Sequence, residues 1–285
     1  MVINNRGNLK QWRLRKFFAF LLGMVLIVNT VPAGIASMVF FYNPENSVDN
    51  FAMMKSEFDG FLSSQGDFSF QPFSERATFE GMLADKSKTG IYLLSSSHFT
   101  QLKAKMPLDA KLVGVSKGAF EQRKILVTKD IANISALQGA TIAGSGSEEF
   151  LRNQLEHMLG TEYSVIMPKI KLLNVPKDID ALMAVGFGVA TAAISSEGSL
   201  AKLGVINPKQ HAQLKILANG EKSLMLIVAT FKSEQGEIDP PLLKVIEAMG
   251  QQPKGVQELK MLGLDGWKRI DTLDAAVVKQ LGMSK

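Results

Sequence analysis

The residues best suited to holding a ligand are the serines and glycines of one turn, Gly144-Ser145-Gly146-Ser147. Serine hydroxyls donate to oxyanions, and glycine lets the backbone bend sharply and come close to a bound group. The turn follows Thr141-Ile142-Ala143, which suit a strand buried on both faces. After it, Leu151, Leu155, Met158 and Leu159 recur at helical spacing. A helix N-terminus presents unpaired N–H groups, so Ser145, Gly146 and Ser147 form a candidate anion cradle. A structural role competes with it, since Ser145 and Glu148 have the spacing of a capping box. Glu148 and Glu149 also oppose a second anion in the first turn, by roughly 0.3–1 kcal/mol each.

Two further groups follow strand-like runs, where open α/β sheets place their ligands. Ser95, Ser96, Ser97 and His98 come after Gly90–Leu94, and Tyr42, Asn43 and Glu45 come after Met38-Val39-Phe40-Phe41. Tyr42 suits stacking on a ligand or hydrogen bonding to it, or equally the boundary of a core. The serine run suits a cleft or a surface turn.

Alternating strands and helices must position these groups. Strands are expected at 38–42, 68–73 and 90–94, with helices at 51–61 and 76–85. A second cycle has strands at 124–128, 141–143, 170–173 and 189–194, the helix after Ser147, and another at 178–185. Strand patterns resume at 214–217 and 223–231, and the end is helical over 240–249 and 252–262, with a tail through Trp267. The alternation predicts an α/β fold with mainly parallel sheets, and the two cycles predict two lobes.

Charge and composition exclude several functions. Arg6, Lys10, Arg13, Arg15 and Lys16 are the only charged residues among the first 36, and the remainder balances 27 basic against 27 acidic side chains. The body is neutral, with no basic patch for nucleic acid. The basic segment, the 12-residue apolar run Phe17 to Val28 and the small residues up to Ala33 and Ala36 have the layout of an export signal. The apolar run falls short of the roughly 20 residues that span a bilayer, so cleavage after Ala33 or Ala36 is favoured over an uncleaved anchor. No cysteine is present, which removes disulfides, thiolate chemistry and a lipoprotein anchor. His98, His157 and His211 are too scattered for a metal site, and the 14 methionines fit packing. Lys88-Thr89-Gly90 and Ser199-Leu200-Ala201-Lys202 mimic serine acyl-enzyme motifs in reversed order and without a Ser-Asp-Asn element. Gly144 and Gly146 lack the third glycine of a dinucleotide fingerprint.

From about Met38 to Ile270 the chain resembles the type II periplasmic solute-binding proteins, in particular the phosphonate/phosphate-binding subfamily that serves ABC transporters. Four segments carry the likeness: Ile134 to Ala143, the Ser145-Gly146-Ser147 turn, Ala181 to Ala193, and Pro241 to Trp267 with Leu259-Lys260-Met261-Leu262-Gly263-Leu264-Asp265-Gly266-Trp267. The resemblance implies a two-lobed type II periplasmic binding protein fold, each lobe a mixed sheet flanked by helices. Lobe one would hold 37–115 and 220–285, and lobe two 118–215, with crossings near Val115–Gly118 and Leu217–Glu221. It further implies a ligand in the interlobe cleft, hinge closure on binding and delivery to an inner-membrane ABC permease. Three positions depart from the subfamily. Its acid is replaced by Ala190, with Thr191 the nearest polar neighbour; its histidine has only Lys177 nearby; and its Gly-Pro after the third strand is Ser95-Ser96.

The expectation is an exported, monomeric solute-binding protein with no catalytic chemistry, cofactor or metal. Its ligand would be a phosphonate/phosphate-type oxyanion held by Tyr42, Asn43, Ser95, Ser96, Ser97, Ser145, Gly146, Ser147 and Thr191. An uncharged or apolar ligand such as a lipid is the alternative, motivated by Leu93, Leu94, Phe99, Val189 and Ala190. A sensory or assembly module without a small ligand is a third reading, marked by a filled cleft and an exposed apolar rim.

Overall fold

Strand β3 (Gly90–Leu94) is buried along its whole length, and its side chains serve two different cores. Ile91 and Leu93 pack on one face of their sheet, while Tyr92 and Leu94 pack on the other. The neighbouring strand β1 (Ser37–Tyr42) alternates in the same way, with Val39 and Phe41 opposed to Phe40 and Tyr42. Strands apolar on both faces need helices on both sides, and the chain supplies them.

The computed structural model describes residues 37–45, 50–85, 90–232 and 239–283. The expected export leader lies outside these residues, as do Asn46 and Lys88-Thr89. The remaining strands are β2 (Phe68–Pro72), β4 (Leu108–Val115), β5 (Glu121–Thr128), β6 (Thr141–Gly144), β7 (Lys171–Asn174), β8 (Ala192–Ser196), β9 (Lys215–Leu224), β10 (Ile227–Phe231) and β11 (Gly266–Arg269). The principal helices are α1 (Phe51–Leu62), α2 (Arg76–Ala84), α3 (Ser96–Lys103), α4 (Glu148–Leu159), α5 (Asp178–Gly186), α6 (Glu197–Ile206), α7 (Pro240–Glu247), α8 (Pro253–Met261) and α9 (Ala275–Gln280).

One sheet has the order β11-β4-β10-β3-β1-β2 and the other β7-β6-β8-β5-β9. In the first, β1 runs parallel to β2 and β3, while β10 and β11 run antiparallel to their neighbours. In the second, β6 is parallel to β7 and β8, and β5 is antiparallel to β8 and β9. Both lobes are therefore mixed sheets with helical cover, rather than the mainly parallel sheets that alternation alone predicts. The parallel strands come from the βα repeats, whereas the antiparallel pairs join strands far apart in sequence, β10 with β3 and β4, β11 with β4, and β5 with β8 and β9.

Most predicted elements stand within a residue or two of their expected ends. The strand expected at 189–194 begins only at Ala192, because Gly188 takes φ +72° and the N–H groups of Val189 and Ala190 cap α5 through the Ala184 carbonyl. The run expected at 223–231 is split: Ser223 and Leu224 finish β9, and β10 starts at Ile227. The serine run after β3 opens helix α3, and β4, α6, β11 and α9 lie outside the expected elements.

Leu93, Leu94 and Phe99, the residues behind an apolar-ligand reading, are core residues of the first lobe. Val189 is exposed on the far surface. A Leu93→Ala variant is expected to lose about 2–5 kcal/mol of stability, the range for a buried leucine that leaves a cavity, as measured by urea unfolding.

Candidate functional site

The sheet registers bring the site together. The ends of β1 and β3 lie side by side, with Tyr42 opposite Leu94, so Asn43-Pro44-Glu45 and Ser95-Ser96-Ser97 leave the first sheet at one edge. In the second sheet β6 ends at Gly144 and β8 at Ser196, and antiparallel β5 sets Lys124 opposite Ser196. Gln122 and Lys124 thus reach the same edge as Ser145 and Ser196 although they stand near the start of their strand. Parallel strand ends followed by helix starts make this the ligand edge of each sheet.

Lys124 and Asp178 form the centre of the second lobe's edge. The Lys124 ammonium meets both carboxylate oxygens at 2.9 Å, and both side chains are largely buried. Ser145 Oγ donates to the same carboxylate at 2.6 Å, and Ser195 Oγ donates to the Asp178 carbonyl at 3.1 Å. Burial acts to raise the Asp178 carboxyl, but the Lys124 charge and the bonds from Ser145, Lys124 and Ser196 outweigh it and hold it below its ordinary value. The Lys124 ammonium also lies 5.6 Å from the centre of the Phe150 ring.

The expected capping box does not form. Ser147, not Ser145, is the N-cap of α4, and its Oγ accepts the Phe150 N–H at 3.1 Å. Ser145 is drawn away to Asp178, and Glu148 pairs with Arg152 one turn along. Gly146 takes φ +113°, and a Cβ there would meet the Pro44 carbonyl oxygen at 2.6 Å. The Ser147 N–H donates to that same carbonyl at 2.8 Å, so the two lobes meet backbone to backbone.

In the first lobe Ser95 caps α3, accepting from the His98 N–H at 3.3 Å, and its Oγ lies 3.1 Å from that of Ser97. Ser96 instead donates to the Leu224 carbonyl at 2.7 Å, tying α3 to the end of β9. Glu45 is buried between the lobes. Ser97 Oγ donates to its Oε1 at 3.2 Å, and Gln122 Nε2 of the second lobe donates to its Oε2 at 2.9 Å. Asn43 Oδ1 accepts the Glu45 N–H at 3.0 Å, which pins the turn. Burial pushes the Glu45 carboxyl above its ordinary value, and Asp178 adds to this; Lys124, Ser97 and Ser95 oppose it without cancelling it.

A cavity of about 580 Å³ opens beside this cluster. Tyr42, Arg76 and His98 line it from the first lobe, and Ser147, Phe150 and His157 from the second. Tyr42 stacks on Phe79 and meets His98 edge-on, and burial raises its hydroxyl pKa. Arg76 bonds Glu80 at 2.7 Å and Gln101 at 2.7 Å on its own side, and crosses to Glu149 at 2.8 Å. His98 Nε2 lies 2.9 Å from Glu80, and burial pulls its pKa below the ordinary value.

Eight of the nine residues singled out from sequence therefore gather at this edge: Tyr42, Asn43, Ser95, Ser96, Ser97, Ser145, Gly146 and Ser147. Thr191 does not. It precedes β8, and its N–H donates to the carbonyl of Thr141 at the other end of β6, so the strand's length separates it from the cleft. Gln122, Lys124, Asp178 and Arg76 escaped the sequence reading. The one trace of them was a lysine heading the apolar run Ile125-Leu126-Val127, a pattern shared by many strand ends.

No family model matches the sequence, and no curated protein matches it either. Solved structures do match. A Xanthomonas citri protein solved with ATP aligns with TM-score 0.58 and 12% identity, over 86% of this chain and 94% of that one. The binding protein component of a phosphonate ABC transporter from Pseudomonas aeruginosa aligns with TM-score 0.57 and 14% identity, over 87% and 86%. A Prochlorococcus marinus protein solved with methylphosphonate aligns with TM-score 0.56 and 13% identity, over 87% and 97%. The chain has the two-lobed type II periplasmic binding protein fold.

Removing one member of the buried pair leaves an uncompensated charge, so Lys124→Met is expected to cost about 3–5 kcal/mol in urea unfolding. Asp178 contributes stability that is fully present above its unfolded value of 3.8 and is lost as pH falls below it toward the lower folded value. Stability of the native chain should therefore fall on acidification below that point, with a shallower slope in Asp178→Asn.

Proposed function

We propose that this chain is a solute-binding protein that captures a small phosphonate- or phosphate-type oxyanion between its lobes, without covalent chemistry, and passes it to a membrane transporter. One observation carries the reading: Ser97 and Gln122, donors from opposite lobes, converge on an oxyanion, the carboxylate of Glu45. Lys124 supplies the nearby positive charge, and the serine-capped starts of α3 and α4 frame the position. Two structural neighbours, the binding component of a phosphonate ABC transporter and a protein solved with methylphosphonate, agree with this ligand class. Export through the leader, cleavage after Ala33 or Ala36 and a monomeric state belong to the same proposal, with lobe one formed by 37–115 and 220–285 and lobe two by 118–215.

A second reading, a sensory or assembly module without a small ligand, is favoured by a different observation. The cleft's donors are already engaged by the protein itself, through Ser147 to Pro44 and Gln122 to Glu45. Phe187, Val189, Val205 and Ile206 are exposed apolar side chains of the second lobe.

Melting series with phosphate, phosphite and methylphosphonate separate the two. A ligand at 100 times its dissociation constant adds about 2.7 kcal/mol, an easily read rise in melting temperature. If all three leave the melting temperature unmoved and no small molecule is found by mass spectrometry of protein extracts, the oxyanion reading fails. N-terminal sequencing of exported protein is expected to begin at Gly34 or Ser37; a start at Met1 would reject cleavage.

A further inference from the structure

We propose that Glu45 is a tethered occupant of the cleft: it latches the lobes together from the position that a captured oxyanion would take, and it must swing out before one binds. For its ligand arm this rests on the oxyanion reading; for its latch arm it does not.

The geometry is that of a ligand. A solute that closes a two-lobed protein does so by bonding to both lobes at once. The Glu45 carboxylate does this, accepting from Ser97 of α3 in one lobe and from Gln122 of β5 in the other. Its own turn adds a further bridge, the Pro44 carbonyl taking the Ser147 N–H at the start of α4. That N–H is one of the donors a helix start would offer to an anion. Gly146 is the residue that permits the approach, since a Cβ there would lie 2.6 Å from the Pro44 oxygen and 3.2 Å from the Glu45 carbonyl carbon.

The occupant is also built to be removable. Glu45 stands three residues beyond the end of β1, on a turn held by the Asn43 side chain, so the carboxylate stays at a high local concentration without being part of a strand or helix. The ammonium nearest to it is committed to Asp178 through two 2.9 Å contacts, so Glu45 itself is held by neutral donors. Its burial works against the charged form. A carboxylate held in this way is easier to displace than one in a direct ion pair.

Occupancy by a tethered group lowers apparent affinity by the fraction of time the site is free. If Glu45 is seated about 90–99% of the time, its removal tightens oxyanion binding by about 10–100-fold. The test compares the full-length mature protein with Glu45→Ala and the volume-conserving Glu45→Gln, each checked for native circular dichroism. Methylphosphonate and phosphate affinities are measured by calorimetry. Lobe separation is measured by electron-spin distances between labels at Ser56→Cys and Lys209→Cys, a scheme the cysteine-free chain allows.

The expected result is tighter binding in both variants and a wider ligand-free lobe separation in Glu45→Ala. Equal affinity in wild type and variants, with unchanged separation, overturns the proposal. If neither anion binds any of the three proteins, the oxyanion reading falls and the distances decide alone: wider in Glu45→Ala upholds the latch, unchanged rejects it.

Discussion

The second lobe's working edge depends on one buried ion pair. Lys124 reaches it from an antiparallel strand and Asp178 from the first turn of a helix, and neither can be desolvated without the other. Once paired, they set the positions around them: Ser145 turns toward Asp178, Ser195 bonds to its backbone, and the Phe150 ring lies beside the ammonium. This is why Ser147 rather than Ser145 caps the next helix. A charge pair that adds little net stability still fixes which hydroxyl points where.

Across the cleft the first lobe meets this edge by contacts of unequal weight. The Arg76 to Glu149 bridge is the most visible, yet Glu149 is 73% exposed, and such pairs contribute about 0–1 kcal/mol. The bonds to the buried Glu45 carboxylate are part-buried and cost more to leave unmade, and the Pro44 carbonyl adds a backbone bond beside them. Lobe contact therefore rests on a short turn after β1 rather than on the charges at the cleft mouth. Ser96 joins this to the crossing region, since its bond to Leu224 fixes α3 to the end of β9.

Sequence periodicity was most informative where both strand faces are apolar. Gly90-Ile91-Tyr92-Leu93-Leu94 admits little but a central strand, and β3 has those ends. It was less informative where strands mix charge with apolar residues: β4 carries Asp109 and Lys111, and β11 is only Gly-Trp-Lys-Arg. The turn residues of the cleft were legible because Gly and Ser follow strand ends. Their partners were not. Lys124 and Asp178 are 54 positions apart and meet only through sheet register, which no local pattern encodes. Thr191 shows the reverse error, a polar residue beside a strand placed at its wrong end. Glu45 stood in view beside Tyr42 and Asn43, but its role depends on Gln122, far along the chain and in the other lobe.

The turn that carries Glu45 changes how the site handles charge. A cleft with bare ammonium and N–H groups would gain a negative charge on binding an anion and would shed counter-ions as it did so. Here one negative group vacates the pocket as another enters, so the charge held between the donors stays the same, while the displaced carboxylate remains tethered nearby and the complex as a whole gains the charge of its ligand. Capture becomes an exchange reaction, and its equilibrium is set by how well the donors of Ser97 and Gln122 fit a tetrahedral head rather than a planar one.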